Sequence, residues 1–483
     1  MTRVPLLLAG VTKEIRALLP TWLALTAAMG VVALIGDRRS YALGVLVYFL
    51  GSVALGAQSI GHEYTHHTLT LFLSQPARRG RLFLVKLTVL TTMLFTLAAV
   101  AWGVLFHPRD VLVARVWADS SRGLTPLTLA LLCGLIVAPW LTMLCRSPLA
   151  GVVFTIVIPA WLWTLSQVLA AVKFGTTRTP EIVRFESAVF WTGMLGFCAI
   201  AAVLNWRMFS RLESDEAKDR DVQLPQWLRG RATTIAAAPV ARARSQSSFR
   251  VLVKKELRLQ QMTCVFTGLY LLICATLLFL RDVVPGFVGL PISAVTVLYT
   301  GCLAPMIGSL ASAEERQFGT LEWQVLLPMA TWKQWAVKAG TALSAAIVLL
   351  LGLPWLMSQM LPPGDHIPLS AWTAGTVVVL TTGSLYVSSV CGSGLRAFLL
   401  SLLVMVVVGP LVARFGSAVW WALRTGWPAF IMATAFVALA LRFGLVNHRS
   451  AERGAGRVWW QVSWMIGSMT LGVLLLSVVW TLD

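Results

Sequence analysis

Residues 149–172 read LAGVVFTIVIPAWLWTLSQVLAAV, 24 positions without a single Asp, Glu, Lys or Arg. At about 1.5 Å per residue, a helix of that length crosses the roughly 30 Å hydrocarbon core of a bilayer. Comparable runs recur on both sides. We read spans near Pro20–Gly36, Tyr41–Ile60, Leu82–Phe106, Leu124–Cys145, Leu149–Val172 and Ala188–Trp206. A second set follows near Cys264–Leu280, Leu290–Ala311, Ala336–Leu361, Pro368–Cys391, Leu395–Ala413 and Trp427–Gly444, and a last run, Trp459–Trp480, makes a thirteenth. Composition agrees. Of 483 residues, 57% are hydrophobic and 12% charged, whereas a soluble domain carries about 25% charge. Length alone would suggest about three soluble domains, but hydropathy overrides that. The expected fold class is an all-α polytopic membrane protein.

The net charge of +19 raises nucleic acid as a partner. In a membrane chain, attraction to anionic lipid and control of topology account for it more simply, so no nucleic acid is expected. With the N-terminus placed in the cytoplasm, 28 of the 39 Lys and Arg fall on the cytoplasmic side, as the positive-inside rule requires. The expectation is a multi-pass protein of a bacterial inner membrane. The seven cysteines sit within spans or at their ends, which argues against a disulfide framework and against paired-Cys metal spacing. Many of the 21 Trp lie at run ends, among them Trp22, Trp206, Trp335, Trp427 and Trp480, where interfacial anchoring explains them. No cleavable signal peptide is evident. Leu6–Leu19 reads instead as an amphipathic segment.

The two halves can be overlaid. Lys13, Glu14 and Arg16 match Lys255, Glu256 and Arg258, each set on an amphipathic elbow just before a first span. A polar segment follows the second span of each half. At one offset, Glu63, Thr68, Leu69, Pro76, Val85 and Lys86 meet Glu315, Thr320, Leu321, Pro328, Val337 and Lys338. Tight turns follow both fourth spans, Cys145-Arg146-Ser147-Pro148 and Cys391-Gly392-Ser393-Gly394. Six spans per copy insert both copies the same way up, so we expect two parallel six-helix repeats related by an axis along the membrane normal, plus the thirteenth C-terminal span. The organisation is then 1–212, a first unit with its elbow; 213–246, a cytoplasmic linker; 247–447, a second unit; and 448–483, a basic loop and the extra span. The linker's polar, Ala/Pro- and Arg/Ser-rich composition reads as a partly disordered tether.

The polar segments after each second span hold apolar residues at helical spacing, and Pro76 and Pro328 break them. A short helix there, held between two spans, can transmit force from a soluble partner. Alternatively it anchors a loop at the interface. Lys86 and Lys338, which head the third spans, read either as snorkelling anchors or as salt-bridge partners of the segment's Glu.

The pattern Glu315, Gly319, Thr320, Leu321, Glu322, Pro328 and distal Lys338 resembles the cytosolic loop of ABC-2-type transporter permeases. Residues 63–86 match a variant in which His67 stands for the Gly and Thr70 for the second Glu. The elbows and the six-span count extend the resemblance over most of the chain. It implies that each segment is a coupling helix docking on an ATP-binding-cassette subunit, with two ATPase copies as partners beside membrane lipid. It also implies that the two halves form one transmembrane pathway. ATP and Mg would be bound by the partner, since no G-x-x-x-x-G-K-[ST] loop occurs here. No catalytic residue, cofactor or metal is then expected in this chain.

His62-Glu63-Tyr64-Thr65-His66 also satisfies the zinc-protease pattern H-E-x-x-H. A catalytic zinc usually needs a third protein ligand, and no downstream Asp or Glu within a span offers one. The matching segment keeps the Glu and replaces the histidines with Glu314 and Phe318. All 20 Asp and Glu fall in loops or at run ends, which disfavours an ion-coupled transporter and suits an apolar pathway for a lipid-like or amphipathic substrate. Three functions remain open: exporter permease, intramembrane metalloprotease using His62, Glu63 and His66, and a scaffold or sensor docked to an ATPase.

Overall fold

The computed structural model describes residues 4–35, 38–65, 68, 79–105, 121–175, 179–211, 248–279, 289–317, 319, 329–361, 370–404, 427–450 and 455–482. Of these residues 95% are helical and none lies in a strand. Eleven described helices are long and apolar enough to cross a membrane. The protein is an all-α, multi-pass membrane protein. Lipid cannot satisfy backbone N–H and C=O groups, so helices that bond internally are the form such apolar segments take.

In chain order the helices are α1 (Val4–Ile35), α2 (Arg38–Thr65), α3 (Arg79–Leu105), α4 (Ser121–Leu132, a π-helical turn at Cys133–Val137, then Ala138–Cys145), α5 (Pro148–Phe174) and α6 (Pro180–Ser210). There follow α7 (Ser248–Leu259), α8 (Gln261–Phe279), α9 (Gly289–Gln317) and α10 (Thr331–Ala346, a π-helical turn at Ile347–Gly352, then Leu353–Gln359). The last are α11 (Ala371–Val390), α12 (Gly394–Val404), α13 (Trp427–Arg449) and α14 (Ala455–Leu482). Helix α12 covers the first part of the span expected at Leu395–Ala413, whose remainder lies outside the described residues. A 28-residue helix, α14, covers the last expected run.

Two expectations are corrected. The first elbow is no separate helix: α1 runs unbroken through Pro20, joining the expected elbow Leu6–Leu19 to the first span. In the other half the break is real. Helix α7 stops at Leu259, and Gln260 caps the start of α8 by accepting from the N–H of Thr263 and from its hydroxyl. The Gln260 amide also donates to the Ile307 carbonyl of α9 at 3.0 Å, fixing the joint against the bundle. Second, α2 and α9 run past their expected ends at Ile60 and Ala311, so Glu63 and Glu315 belong to the last turns of these helices rather than to loops.

Helices α2 and α9 are the centres of packing: 83% and 72% of their span windows are buried, against 22% for α6 and α13. Close approach rests on small residues. A Cβ on Gly56 of α2 would fall inside the shell of the Gly134 carbonyl oxygen in α4, and one on Gly308 of α9 would overlap Ser384 and the Thr381 carbonyl in α11. Around α1 the contacts are more specific. Thr21 donates to the Gln58 side chain of α2 at 2.5 Å, and the Trp22 indole donates to the Met93 carbonyl of α3 at 3.2 Å. The tight turns between α4 and α5 and between α11 and α12 use one device. Ser147 and Ser393 accept from the N–H of Ala150 and Arg396 three residues on, as N-cap serines do.

A continuous apolar core joins α2, α4 and α5 to α8, α9, α10 and α11. Where α5 meets α8 and α9 it leaves a small cleft of about 40 Å³, lined by Ile156, Val157, Phe266, Tyr270, Val295 and Tyr299 among others. The Tyr270 and Tyr299 rings stack at 4.0 Å. Their hydroxyls pair with Thr296 and Thr267, at 3.0 Å each, so no polar group is left facing the cleft from these two residues.

Candidate functional site

The polar residues singled out by sequence converge in two buried ion-pair clusters at one end of the bundle. In the first, α1 contributes Lys13 and Glu14, the last turns of α2 contribute Ser59 and Glu63, and the start of α3 contributes Lys86. Lys86 Nζ donates to Glu14 Oε1 at 2.7 Å, to the Ser59 carbonyl at 3.1 Å and to Glu63 Oε1 at 3.3 Å. Lys13 Nζ donates to Glu63 Oε1 at 2.8 Å from the rim of the cluster. Thr68 closes it: its hydroxyl donates to Glu63 Oε2 and its N–H to the Glu63 carbonyl.

The second cluster uses α7, α9 and α10 in the same way. Lys338 Nζ donates to Glu256 Oε1 at 3.2 Å, to the Ala311 carbonyl at 2.9 Å and to Glu315 Oε2 at 2.5 Å. Lys255 Nζ donates to Glu315 Oε1 at 2.5 Å. Residue for residue, Lys13, Glu14, Ser59, Glu63 and Lys86 stand where Lys255, Glu256, Ala311, Glu315 and Lys338 stand. Ser59 and Ala311 contribute only backbone carbonyls, so no side-chain signal marks them in sequence.

Burial decides how the two lysines act. Lys86 is 4% exposed and Lys338 0%, with all four carboxylates at 3% or less. The snorkelling reading of these lysines is therefore wrong, because an ammonium kept from water must be held by partners. The reading of all Asp and Glu as span-end groups also needs correction. Glu63, Glu256 and Glu315 lie in the last turns of their helices while Glu14 lies well inside α1, and packing of three helices takes all four out of solvent. Each cluster pairs two carboxylates with two ammonium groups and is neutral overall. On α7, burial pushes the Glu256 carboxyl above the ordinary carboxylate range, with the Glu315 charge adding to the push and Lys338 opposing it.

Removing one partner of such a buried pair costs about 3–5 kcal/mol, because the survivor is left charged and unpaired. Each cluster ties an N-terminal helix to the end of one span and the beginning of the next. Arg16 and Arg258 are exposed and stand outside the clusters. Gly319 has φ +67°, the left-handed conformation that ends a helix at least cost in glycine, and its N–H returns to the Arg316 carbonyl. Leu69, Pro76, Thr320, Leu321, Glu322 and Pro328, the rest of the segments read as coupling helices, lie outside the described residues, as do His66 and His67.

The surroundings of the clusters differ. Beside the first, Ile60, Phe83, Met143 and Phe209 form an apolar plug. The second is bordered by polar groups on α11, α13 and α14. Gln461 of α14 exchanges amide hydrogen bonds with Asn447 at 3.0 and 3.1 Å and accepts from the Tyr386 hydroxyl at 3.1 Å. Arg316 donates to the Asn447 carbonyl at 2.9 Å, which links α14 to the turn that carries Glu315. Sequence reading missed this network. Its one signal was the unusual polarity of Asn447 and Gln461 beside apolar runs.

No family model matches the chain, and no curated protein and no solved structure matches it either.

Proposed function

We propose that the chain is the membrane permease of an ATP-driven exporter, built as two parallel six-span units with a thirteenth span, and that its energy comes from separate ATPase subunits. The observation that carries this reading is the twin cluster. Each one clamps an elbow, the end of a second span and the start of a third span around the point where the segment resembling an ABC-2 coupling loop leaves the bundle. A push on that segment is delivered through Glu63 or Glu315 to three helices at once. The ammonium groups of Lys86 and Lys338 each tie two carboxylates on different helices, and this cross-linking supports a mechanical role. The clusters face the cytoplasm in this reading, with the N-terminus inside and the membrane the bacterial inner one.

Closure of an ATPase dimer moves both segments, and the two halves rock about their shared axis. The apolar cleft between α5 and α8–α9 lies where the halves meet, which suits an amphipathic or lipid-like cargo. The test is co-purification and transport. The chain is expressed with an ATPase encoded beside it, and Glu315→Gln is compared with wild type for ATPase retention and ATP-dependent export. Because loss of a buried partner costs about 3–5 kcal/mol, only chain that remains folded is compared, and there export is expected to be lost or ATPase binding weakened. Unchanged ATPase binding together with unchanged export would sink the coupling assignment.

A further inference from the structure

The first cluster holds one group that its counterpart lacks. His62 Nδ1 lies 3.0 Å from the Gln58 carbonyl oxygen. A carbonyl only accepts, so Nδ1 carries the hydrogen, and Nε2 is the ring nitrogen turned toward Glu63. That atom is buried, and its contact is with Glu63 Oε1 at 3.2 Å. Glu14 Oε2, on a side chain 3% exposed, is also buried and without a partner. Ligand atoms of Glu14, His62 and Glu63 all lie within 4.8 Å of one another. Three potential metal ligands thus converge, and one of them, Glu14 Oε2, is buried with no donor of its own.

We propose that Glu14, His62 and Glu63 form a binding site for a divalent transition metal, with Zn²⁺ the preferred ion. One imidazole nitrogen and two carboxylate oxygens suit a borderline ion better than Mg²⁺ or Ca²⁺, which take oxygen alone. The Nδ1–H bond to a backbone carbonyl is the outer-shell support that metal-bound histidines have. Ligands of a tetrahedral zinc with bonds of 2.0–2.1 Å are about 3.3 Å apart, so small side-chain rotations close the site. Lys13, 44% exposed, releases Glu63 and turns to solvent as the metal arrives. Lys86 keeps its bonds to Glu14 Oε1 and the Ser59 carbonyl, and water takes the fourth position.

The third ligand comes from α1, 48 positions upstream of His62, where no local motif points to it. Glu63 is a ligand here, not the base that it would be in a zinc protease. At the position matching His62 the second half has Glu314, and among the described residues the ligand atoms converge at the first cluster alone.

The full chain in detergent is equilibrated with zinc sulfate, desalted and assayed for bound zinc, and affinity is measured by chelator competition. One zinc per chain is expected. Glu14→Gln and His62→Ala should each weaken it by at least the roughly 10–100-fold that loss of an outer-shell partner costs, and His66→Ala should leave it unchanged. No retained zinc, or zinc lost in His66→Ala and kept in Glu14→Gln, overturns the proposal. Either loss variant can loosen α1 from α2, so X-ray absorption at the zinc edge of the wild-type chain provides a readout free of mutation. One imidazole with oxygen neighbours supports the site, and two imidazoles refute it.

Discussion

Lys338→Met replaces a fully buried ammonium with an apolar side chain of similar length. Lys338 holds the Glu256 carboxylate at 3.2 Å, the Glu315 carboxylate at 2.5 Å and the Ala311 carbonyl at 2.9 Å. Glu315 retains Lys255, so its loss is partial. Glu256 has no other hydrogen bond on its carboxylate among those described and is 2% exposed, so its charge is stranded. The cost of breaking a buried pair from one side is about 3–5 kcal/mol, and here the larger part falls on Glu256. Neutralising that survivor should recover much of it. Glu256→Gln in the Lys338→Met background is expected to be less damaging than the sum of the two changes, with a coupling of about 1–3 kcal/mol. The assay is equilibrium unfolding in mixed micelles with SDS, followed by tryptophan fluorescence, on wild type, both single variants and the double. A Lys338→Met cost below about 1 kcal/mol, the range of exposed ion pairs, with no coupling to Glu256, would refute the buried-cluster argument.

Other outcomes follow from the same geometry. Glu256, whose carboxyl is held above its ordinary range mainly by burial, takes up a proton more readily folded than unfolded. Its contribution to stability is therefore complete below about pH 4.3 and is lost as pH rises through the raised value. Glu256→Gln should flatten the stability profile measured by unfolding at a series of pH values over that window. Gly308→Val should destabilise by about 1–3 kcal/mol or more, since the new side chain meets Ser384 and the Thr381 backbone; Gly340→Ala, with nothing within 4 Å of its Cβ, should be neutral or stabilising by up to about 1 kcal/mol. The pair is compared by SDS unfolding. Gln461→Leu removes the amide that joins α14 to Asn447 and Tyr386, and at about 0.6–2 kcal/mol per interhelical bond should raise proteolysis of α14 while leaving the rest protected.

The membrane class was legible because a run such as 149–172 has only one stable form in lipid, and run length alone reveals it. The members of the site were legible one at a time. Lys13-Glu14 and Lys255-Glu256 stood out in the elbows, and Glu63, Lys86, Glu315 and Lys338 stood out at a shared offset. Their meeting was not legible, because the approach of residues 14, 63 and 86 depends on how three helices cross, and no spacing along the chain encodes a crossing. The burial of Lys86 and Lys338 was missed for the same reason. Charge at a span end looks alike in sequence whether it reaches water or a carboxylate on a neighbouring helix. Helix ends were misplaced at Ile60 and Ala311 because the polar last turns of α2 and α9 resemble loop until their partners are known. The α1 elbow was misread because Pro20 looks like a start signal, while the helix continues through it.

The unbroken course of α1 has a mechanical consequence. From Glu14, where Lys86 pins it, the rod extends about 15 Å back to Val4 and about 32 Å forward to Ile35 at 1.5 Å per residue. It is one stiff body, so a force on its first turns is carried without a joint past Glu14 to Thr21 and Trp22, which bond it to α2 and α3. Helices α7 and α8 are two rods that meet at Gln260, and a force on α7 must pass through that corner, which is held to α9. Equal pushes on the two N-terminal helices would thus travel along a continuous rod in one case and be handed to a third helix in the other.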